Sequence, residues 1–414
     1  MLPVTYKRRR TLWAGCCAVP FFAAWFAATA FGQQADPEKL IEAGHWKKAK
    51  AIVETHLSQT PNDPLSIFLL SQIRNAFGDY TTPQALAEKA VALDSRVAKY
   101  HRQLAEVLGV QAQHAGPIKL ILLARQFRAE IDTAISLDSR DVQAQRDLLE
   151  YYLVAPGIAG GDVQKAAATA EHIAQLDAPE GFLARARIAS FRRQTEEAEG
   201  LLRQAVQAQP PSYRARVELA KAYLSKPSAK PSANPSAAEN VANDLLRMDS
   251  GRVDPYAILA QIYAERGDWN ALEAVLTEGA RQCPDDLVPY YRAAEVLLGS
   301  GRDPARAERY LHIYLDHEPE GNEPPVADAR RKLALASQAQ RHRTGTLAAA
   351  EQQSGGVADG VAAFGDRAAG RRTGSAWAHQ LRIPPAAGIS AGGSHVGRDA
   401  RGRVAAAASG VLLG

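Results

Sequence analysis

Three kinds of feature in this sequence are chemically suggestive: scattered histidines, three cysteines and a glycine-rich stretch ahead of a helix. A zinc site on a helix needs two imidazoles four residues apart, and no His-x-x-x-His pair is present. Glu171-His172 and Asp316-His317-Glu318 are chain neighbours whose side chains point different ways, so neither is a ligand set. His45, His101, His114 and His172 read as ordinary surface or helix residues. No Gly-x-Ser-x-Gly elbow, Cys-x-x-Cys pair or dinucleotide fingerprint occurs. The stretch Ala155-Pro156-Gly157-Ile158-Ala159-Gly160-Gly161 could cradle a phosphate at a helix start. It lacks the Gly-Lys-Ser/Thr ending of a phosphate loop, and no strand precedes it. It therefore reads as a turn that re-aims the chain after Tyr151-Tyr152. These patterns predict no catalytic residue, no metal and no cofactor, hence a protein that is not an enzyme.

The cysteines and charges set the frame around those residues. The chain has 414 residues and a formal net charge of +4. Residues 1–32 carry four Lys/Arg and no acid, and 342–414 carry eight Arg and four Asp/Glu. The middle, 33–341, then holds 37 basic and 41 acidic side chains, a net of −4, which gives no case for a nucleic-acid partner. Lys7-Arg8-Arg9-Arg10 followed by an uncharged apolar run from Thr11 to Gly32 has the form of an export signal. Small residues place cleavage after Ala30 or Gly32, and an uncleaved anchor is the competing reading because 22 residues also suffice to span a bilayer. Cys16 is not a lipoprotein cysteine, since Trp13 stands where a lipobox wants Leu. Cleavage leaves Cys283 as the one cysteine, unable to form an internal disulfide and read as a small residue at a helix end. The expected location is exported, periplasmic or secreted, with inner-membrane anchoring as the alternative.

The elements that position these residues show themselves as a repeat. Leu93-Asp94-Ser95, Leu137-Asp138-Ser139, Leu176-Asp177-Ala178 and Met248-Asp249-Ser250 are copies of one ending, and Pro61, Pro210, Pro284 and Pro319 close other stretches in the same place. The simplest account is a 34-residue period with insertions. Apolar and small residues recur three and four apart through each stretch, the mark of a helix buried on one side. One full copy reads Tyr256-x-x-Leu259-Ala260-x-x-Tyr263, Gly267-Asp268-Trp269-x-x-Leu272, Leu276, Gly279 and Pro284. Others carry Ile67, Leu70, Ser71, Gly78-Asp79-Tyr80, Ala87 and Ala90, or Tyr290, Ala293-Ala294, Leu297, Gly301, Ala307, Leu311 and Tyr314. The first keeps Gly44-x-Trp46-x-x-Ala49 and Pro61 with a short first helix.

In these residues the chain resembles the tetratricopeptide-repeat family from about 36 to 341. The resemblance implies an all-α fold: a right-handed superhelical solenoid of stacked antiparallel helix pairs, about eight repeats long. It also implies that first helices line a concave groove that holds peptides. Trp46 and Trp269 match the bulky position opening second helices and are expected in the core. On the groove face, positions three and four apart give Lys99, Arg102 and Glu106; Gln143, Arg146 and Glu150; Glu180, Leu183 and Arg187; Arg214, Val217 and Lys221. The candidate partner-binding residues are thus Lys99, Arg102, Arg146, Arg187, Arg214 and Lys221, a basic centre suited to an acidic protein or peptide. The opposing reading is a solvated face whose Arg and Glu satisfy one another. The two-carboxylate clamp of chaperone-binding relatives needs Asn where this chain has Glu106, Glu150, Arg187 and Lys221, so that role does not carry over.

Three insertions are expected as loops: 109–117 and 155–161, side by side on one edge of the solenoid, and 226–237, where Lys226-Pro-Ser-Ala, Lys230-Pro-Ser-Ala and Asn234-Pro-Ser-Ala repeat in tandem. A further first helix runs from Val326 to about Gln340 with no second helix after it. Residues 342–414 hold 14 Gly and 18 Ala, eight Arg and no Lys, and read as a low-complexity disordered tail, either natural or the product of a frameshift near 341–346. The leading functional reading is a non-enzymatic interaction scaffold of the periplasm or cell envelope. The alternatives are the docking portion of a longer enzyme truncated by the frameshift, and a membrane-anchored envelope assembly subunit.

Overall fold

The computed structural model describes residues 35–79, 81–225, 234–321 and 324–341. The export segment, the first two tetrapeptides of the third insertion and the low-complexity tail lie outside those residues, as does Tyr80. The described residues form antiparallel helix pairs and contain no strand: α1 (Pro37–Glu42) with α2 (Trp46–Gln59), α3 (Pro64–Ala76) with α4 (Thr82–Leu93), α5 (Ala98–Gln113) with α6 (Pro117–Leu137), and α7 (Val142–Val154) with α8 (Val163–Leu176). They continue as α9 (Ala178–Phe191) with α10 (Thr195–Gln207), α11 (Tyr213–Leu224) with α12 (Pro235–Met248), α13 (Asp254–Arg266) with α14 (Trp269–Gln282), and α15 (Val288–Ser300) with α16 (Pro304–Leu315). A last helix, α17, covers 326–341. The short first helix and the unpaired last one stand where the sequence places them.

The repeated endings work as helix stops. Asp94, Asp138 and Asp249 are the C-caps of α4, α6 and α12, and each turns its carboxylate onto the backbone N–H two residues ahead, at 3.1, 3.0 and 2.9 Å. Asp177 closes α8 and also opens α9, accepting from Glu180 N at 2.9 Å. Within repeats the tight turn needs a left-handed residue, which Gly267 (φ 75°) and Gly301 (φ 63°) supply, and Asp268 and Asp303 then cap α14 and α16.

Neither helix of a pair can bury its apolar face alone, and the core is accordingly spread along the stack. Ala90, Ala105, Ala144, Ala166, Ala215, Ala260 and Ala294 are fully buried where helices cross. Larger side chains, among them Ile131, Leu245, Leu272 and Tyr310, fill the space between layers and are also fully buried, each aliphatic one contributing on the order of 1.5–3 kcal/mol. Approach is closest at Gly181 in α9, where an added Cβ would stand 2.4 Å from the Cα of Ala174 in α8.

Two expected loops are corrected. The first insertion is mostly helix: α5 runs on to Gln113 and α6 starts at Pro117, so 109–113 continue α5 and only 114–116 turn. Nothing in 109–113 breaks a helix, and Pro117 is tolerated in a first turn, where its missing N–H is no loss. The third insertion ends at Asn234, whose side chain caps α12 by accepting from Ala237 N at 3.0 Å; the last Pro-Ser-Ala is the first turn of that helix. The second insertion is a loop as expected, with a 3-10 turn at Gly157–Ala159 and Gly160 at φ 104°.

The curvature brings the two ends together. Lys47 N donates to Glu320 Oε1 at 2.7 Å, Lys47 Nζ donates to the carbonyls of Asp285 (3.4 Å) and Glu318, and Lys48 pairs with Asp285 at 3.7 Å. The segment 316–321, after α16, thus straps the last repeats to the first. Gly321 (φ 79°) lies over the end of α3, where an added Cβ would meet Ala76 O at 3.1 Å.

The close approach at Gly181 predicts that Gly181→Val lowers stability by roughly 1–3 kcal/mol through overpacking, whereas Gly200→Ala in α10, with nothing within 4 Å, leaves it unchanged or raised. Thermal melts followed by circular dichroism check this, and equal melting temperatures for the two variants would contradict it.

Candidate functional site

The first helices of successive pairs face one another across a central cavity of about 750 Å³, which the strap closes. All six sequence-predicted cations, Lys99, Arg102, Arg146, Arg187, Arg214 and Lys221, line it. They come from α5, α7, α9 and α11, brought to one wall because each helix presents the face three and four residues apart that its buried alanines do not occupy.

Each of the six is paired. Lys99 reaches Glu38 of the first repeat at 2.5 Å and lies 5.3 Å from the Phe68 ring centre. Arg102 meets Asp141 at 3.2 Å, Arg146 and Arg214 share Glu180 at 3.5 and 2.5 Å, and Arg187 makes a two-pronged pair with Glu150 at 2.5 and 2.9 Å. Lys221 pairs within its own helix, with Glu218 at 3.2 Å. Five of these cations therefore bind a carboxylate of another repeat and tie the inner wall together. Ten acidic and seven basic side chains line the cavity among the described residues. The basic centre expected from sequence is corrected: Glu38, Asp147, Glu218, Asp254, Asp286 and Glu320 converge on the same space and remove the surplus.

The wall also holds carboxyls that sequence reasoning misplaced. Glu106, expected as an exposed groove acid, is buried, and Asp147, overlooked because it lies one residue after Arg146, is buried beside it. Burial, reinforced by Asp147, pushes the Glu106 carboxyl up to about 7, against the pull of Arg102 and of a 3.1 Å bond from Asn75 Nδ2. Burial likewise raises Asp147 to about 6, with Arg102 and Arg146 opposing. At the closure, burial lifts Asp286 and Glu320 to about 7 each. A charge pattern in one repeat carries no sign of how many atoms the next repeat lays over it, so no local signal marks these groups.

His101 is not a surface residue: it is buried, with Nδ1 2.7 Å from Glu130 and Nε2 3.0 Å from Ser95 O. Leu183 and Val217 of the expected groove face line the cavity and are buried. Trp46 and Trp269 are half-buried; Trp46 lines the cavity and the Arg306 guanidinium lies 4.5 Å over Trp269. Cys283 caps α14, buried, its Sγ 3.1 Å from Gly251 O, and burial raises its thiol to about 12. The Gly157–Gly161 loop uses its amides internally: Gly160 N and Gly161 N donate to Gly157 O and Pro156 O at 3.0 and 3.2 Å.

No family model matches the chain, and no curated protein is similar to it. Among solved structures it is similar to a thermophilic TPR protein of Thermus thermophilus, at 20% identity over 46% of this chain and 96% of that one, with a TM-score of 0.40. It is similar also to a monomeric IFIT1 mutant bound to m7Gppp-AAAA (15%, 59% and 53%, TM-score 0.38) and to YrrB, a TPR protein with an unusual peptide-binding site (12%, 51% and 97%, TM-score 0.32). What decides the fold is the molecule's own geometry of paired helices, repeat-length spacing and signature glycines. The fold is an all-helical solenoid of stacked antiparallel helix pairs. Its long insertions distort the spacing, and its first helices carry charge pairs across the cavity rather than an open row of cations.

The raised carboxyls give the solenoid a pH dependence of definite sign. A carboxyl whose folded pKa exceeds its ordinary value near 4.5 contributes stability below that value and loses it as pH climbs through about 7. The melting temperature should therefore fall between about pH 5 and about pH 8, and Glu106→Gln should flatten that fall, recovering on the order of 2–3 kcal/mol at the upper end. Melts across that range check it, and an unchanged slope in Glu106→Gln would contradict it.

Proposed function

We propose that this chain is a non-enzymatic scaffold that holds a polypeptide segment in its central cavity. The observation that carries the reading is the central cavity itself, built by first helices and lined by paired charges beside the half-buried ring of Trp46. Such a wall suits an extended or helical segment, because main-chain amides can bond to the charged groups while side chains occupy the gaps between helices. An acidic occupant meets no row of open cations; its carboxylates would exchange with Glu150 or Glu180. Arginine suits that exchange, since its planar fork can pass from one carboxylate to another without losing both bonds. With its cations already paired to carboxylates, the wall offers a nucleic-acid backbone no open row of cations. Lys7–Arg10 and the apolar run to Gly32 support an exported site of action, periplasmic or secreted, with membrane anchoring as the alternative.

The test places a photoreactive amino acid in the full chain at Ser190, which lines the cavity, or at Ser136, exposed on the outer helix α6. Irradiation in cells should yield polypeptide adducts from the Ser190 position and none from Ser136. Arg187→Glu with Arg214→Glu should reduce the Ser190 adduct at least about tenfold, while Arg203→Glu with Arg247→Glu, on exposed outer helices, should leave it unchanged. Equal adducts from both positions, or none from Ser190, would contradict the proposal.

A further inference from the structure

The edge formed by the over-long α6 and the neighbouring loop presents apolar side chains to solvent in a way the rest of the solenoid does not. α6 has 21 residues where most second helices have 12–14. Residues four apart share a helix face: Leu123 and Phe127 face the core and are buried, while Ile118 (88% exposed) and Leu122 (57% exposed) face out. The 3-10 turn Gly157–Ala159 packs against α6 and adds Ile158 (72% exposed), with Val154 close before it in the chain. The apolar side chains exposed elsewhere, such as Leu65, Phe191 and Met248, come from separate elements. Lys119 and Arg125 flank the stripe on α6, and Lys165 follows the loop in the first turn of α8; all three are exposed. No acidic residue occurs between Glu106 and Glu130 or from Tyr151 to Gly161, and Asp162, next in the chain, stands 4.0 Å from Lys165.

We propose that this edge docks on an anionic lipid surface, with Ile118, Leu122 and Ile158 seated at the headgroup boundary and Lys119, Arg125 and Lys165 on lipid phosphates. The chemistry matches an interfacial helix, in which apolar side chains sink a short way and basic stems reach back to the phosphates. No helix among the described residues is long and apolar enough to cross a membrane, so the contact lies on the bilayer. A second copy of the chain is the poorer occupant for two reasons. Self-association through this edge would bring its cations face to face, and a handful of side chains falls far short of the roughly 20–30 residues per partner in a stable interface. The inference does not depend on the cavity being a binding site.

The test uses the full chain with a reporter at Leu122→Trp or, on the same helix away from the patch, Leu137→Trp. Vesicles of phosphatidylcholine with phosphatidylglycerol, carrying brominated acyl chains, should quench the added fluorescence of Leu122→Trp and not that of Leu137→Trp. Phosphatidylcholine vesicles alone should quench neither. Adding Lys119→Glu and Arg125→Glu should weaken the Leu122→Trp quenching at least about tenfold. Because the readout is local, attachment through the apolar run at 11–32 cannot mimic it. Absent or equal quenching at the two positions would overturn the proposal. So would self-association of the wild type, measured by sedimentation without vesicles, that Ile118→Ser with Leu122→Ser abolishes.

Discussion

The constraint on which the structure depends is close approach between helices that cannot bury their faces alone. Alanines with no exposed surface, together with Gly181 and Gly279, let neighbouring helices pack at short distance. Apolar burial then accumulates by addition of like units rather than in one central core. The same closeness sets the curvature. Helices that crowd on the inside of the stack turn it, and across these repeats the turning returns the chain to its start, where Lys47 finds Glu320. The cavity is therefore a consequence of packing, and the strap at 316–321 is what fixes its size.

Enclosure explains the electrostatics. A charged side chain on an open groove would be solvated and independent, but here the inner faces of the first helices are near enough to pair Lys99 with Glu38 across an intervening repeat. Pairing satisfies the cations and at the same time withdraws Glu106 and Asp147 from water, which makes their ionised forms costly. The inner wall is thus held together by charge pairs while carrying buried acids that favour their neutral forms. Such a wall is specific about geometry and tolerant about net charge, a combination suited to holding a segment by shape and hydrogen bonding.

Much of this was legible in the residues, and what was not has identifiable causes. The Leu-Asp-Ser endings fixed where second helices stop because the Asp carboxylate caps and turns in one step, and the structure uses Asp94, Asp138 and Asp249 in that way. The 3.6-residue period was enough to bring all six cations to the cavity. Their partners were half visible, since Glu150 and Glu180 lie on the same faces, whereas Asp147 is hidden by being adjacent in sequence to Arg146. The closure was not legible at all: Lys47 and Glu320 are 273 residues apart and neither sits in a motif. The extra length of repeat three, expected as a loop over 109–117, is mostly helix, because nothing from 109 to 113 breaks α5 and Pro117 can open α6. In repeat five Arg193 takes the left-handed position that glycine fills elsewhere (φ 62°), which is why that repeat looks degenerate in sequence and regular in structure.

The central claim is that the ends of the solenoid meet and enclose the cavity. Its most direct test is a distance measurement between spin labels at Glu42→Cys, the last residue of α1, and His317→Cys, in the strap, with the native cysteines replaced by serine. Pulsed dipolar spectroscopy should give one narrow, short-distance population, which Lys47→Glu should broaden and lengthen. A broad or long distribution in the otherwise unaltered chain, insensitive to Lys47, would show an open superhelix and contradict the account.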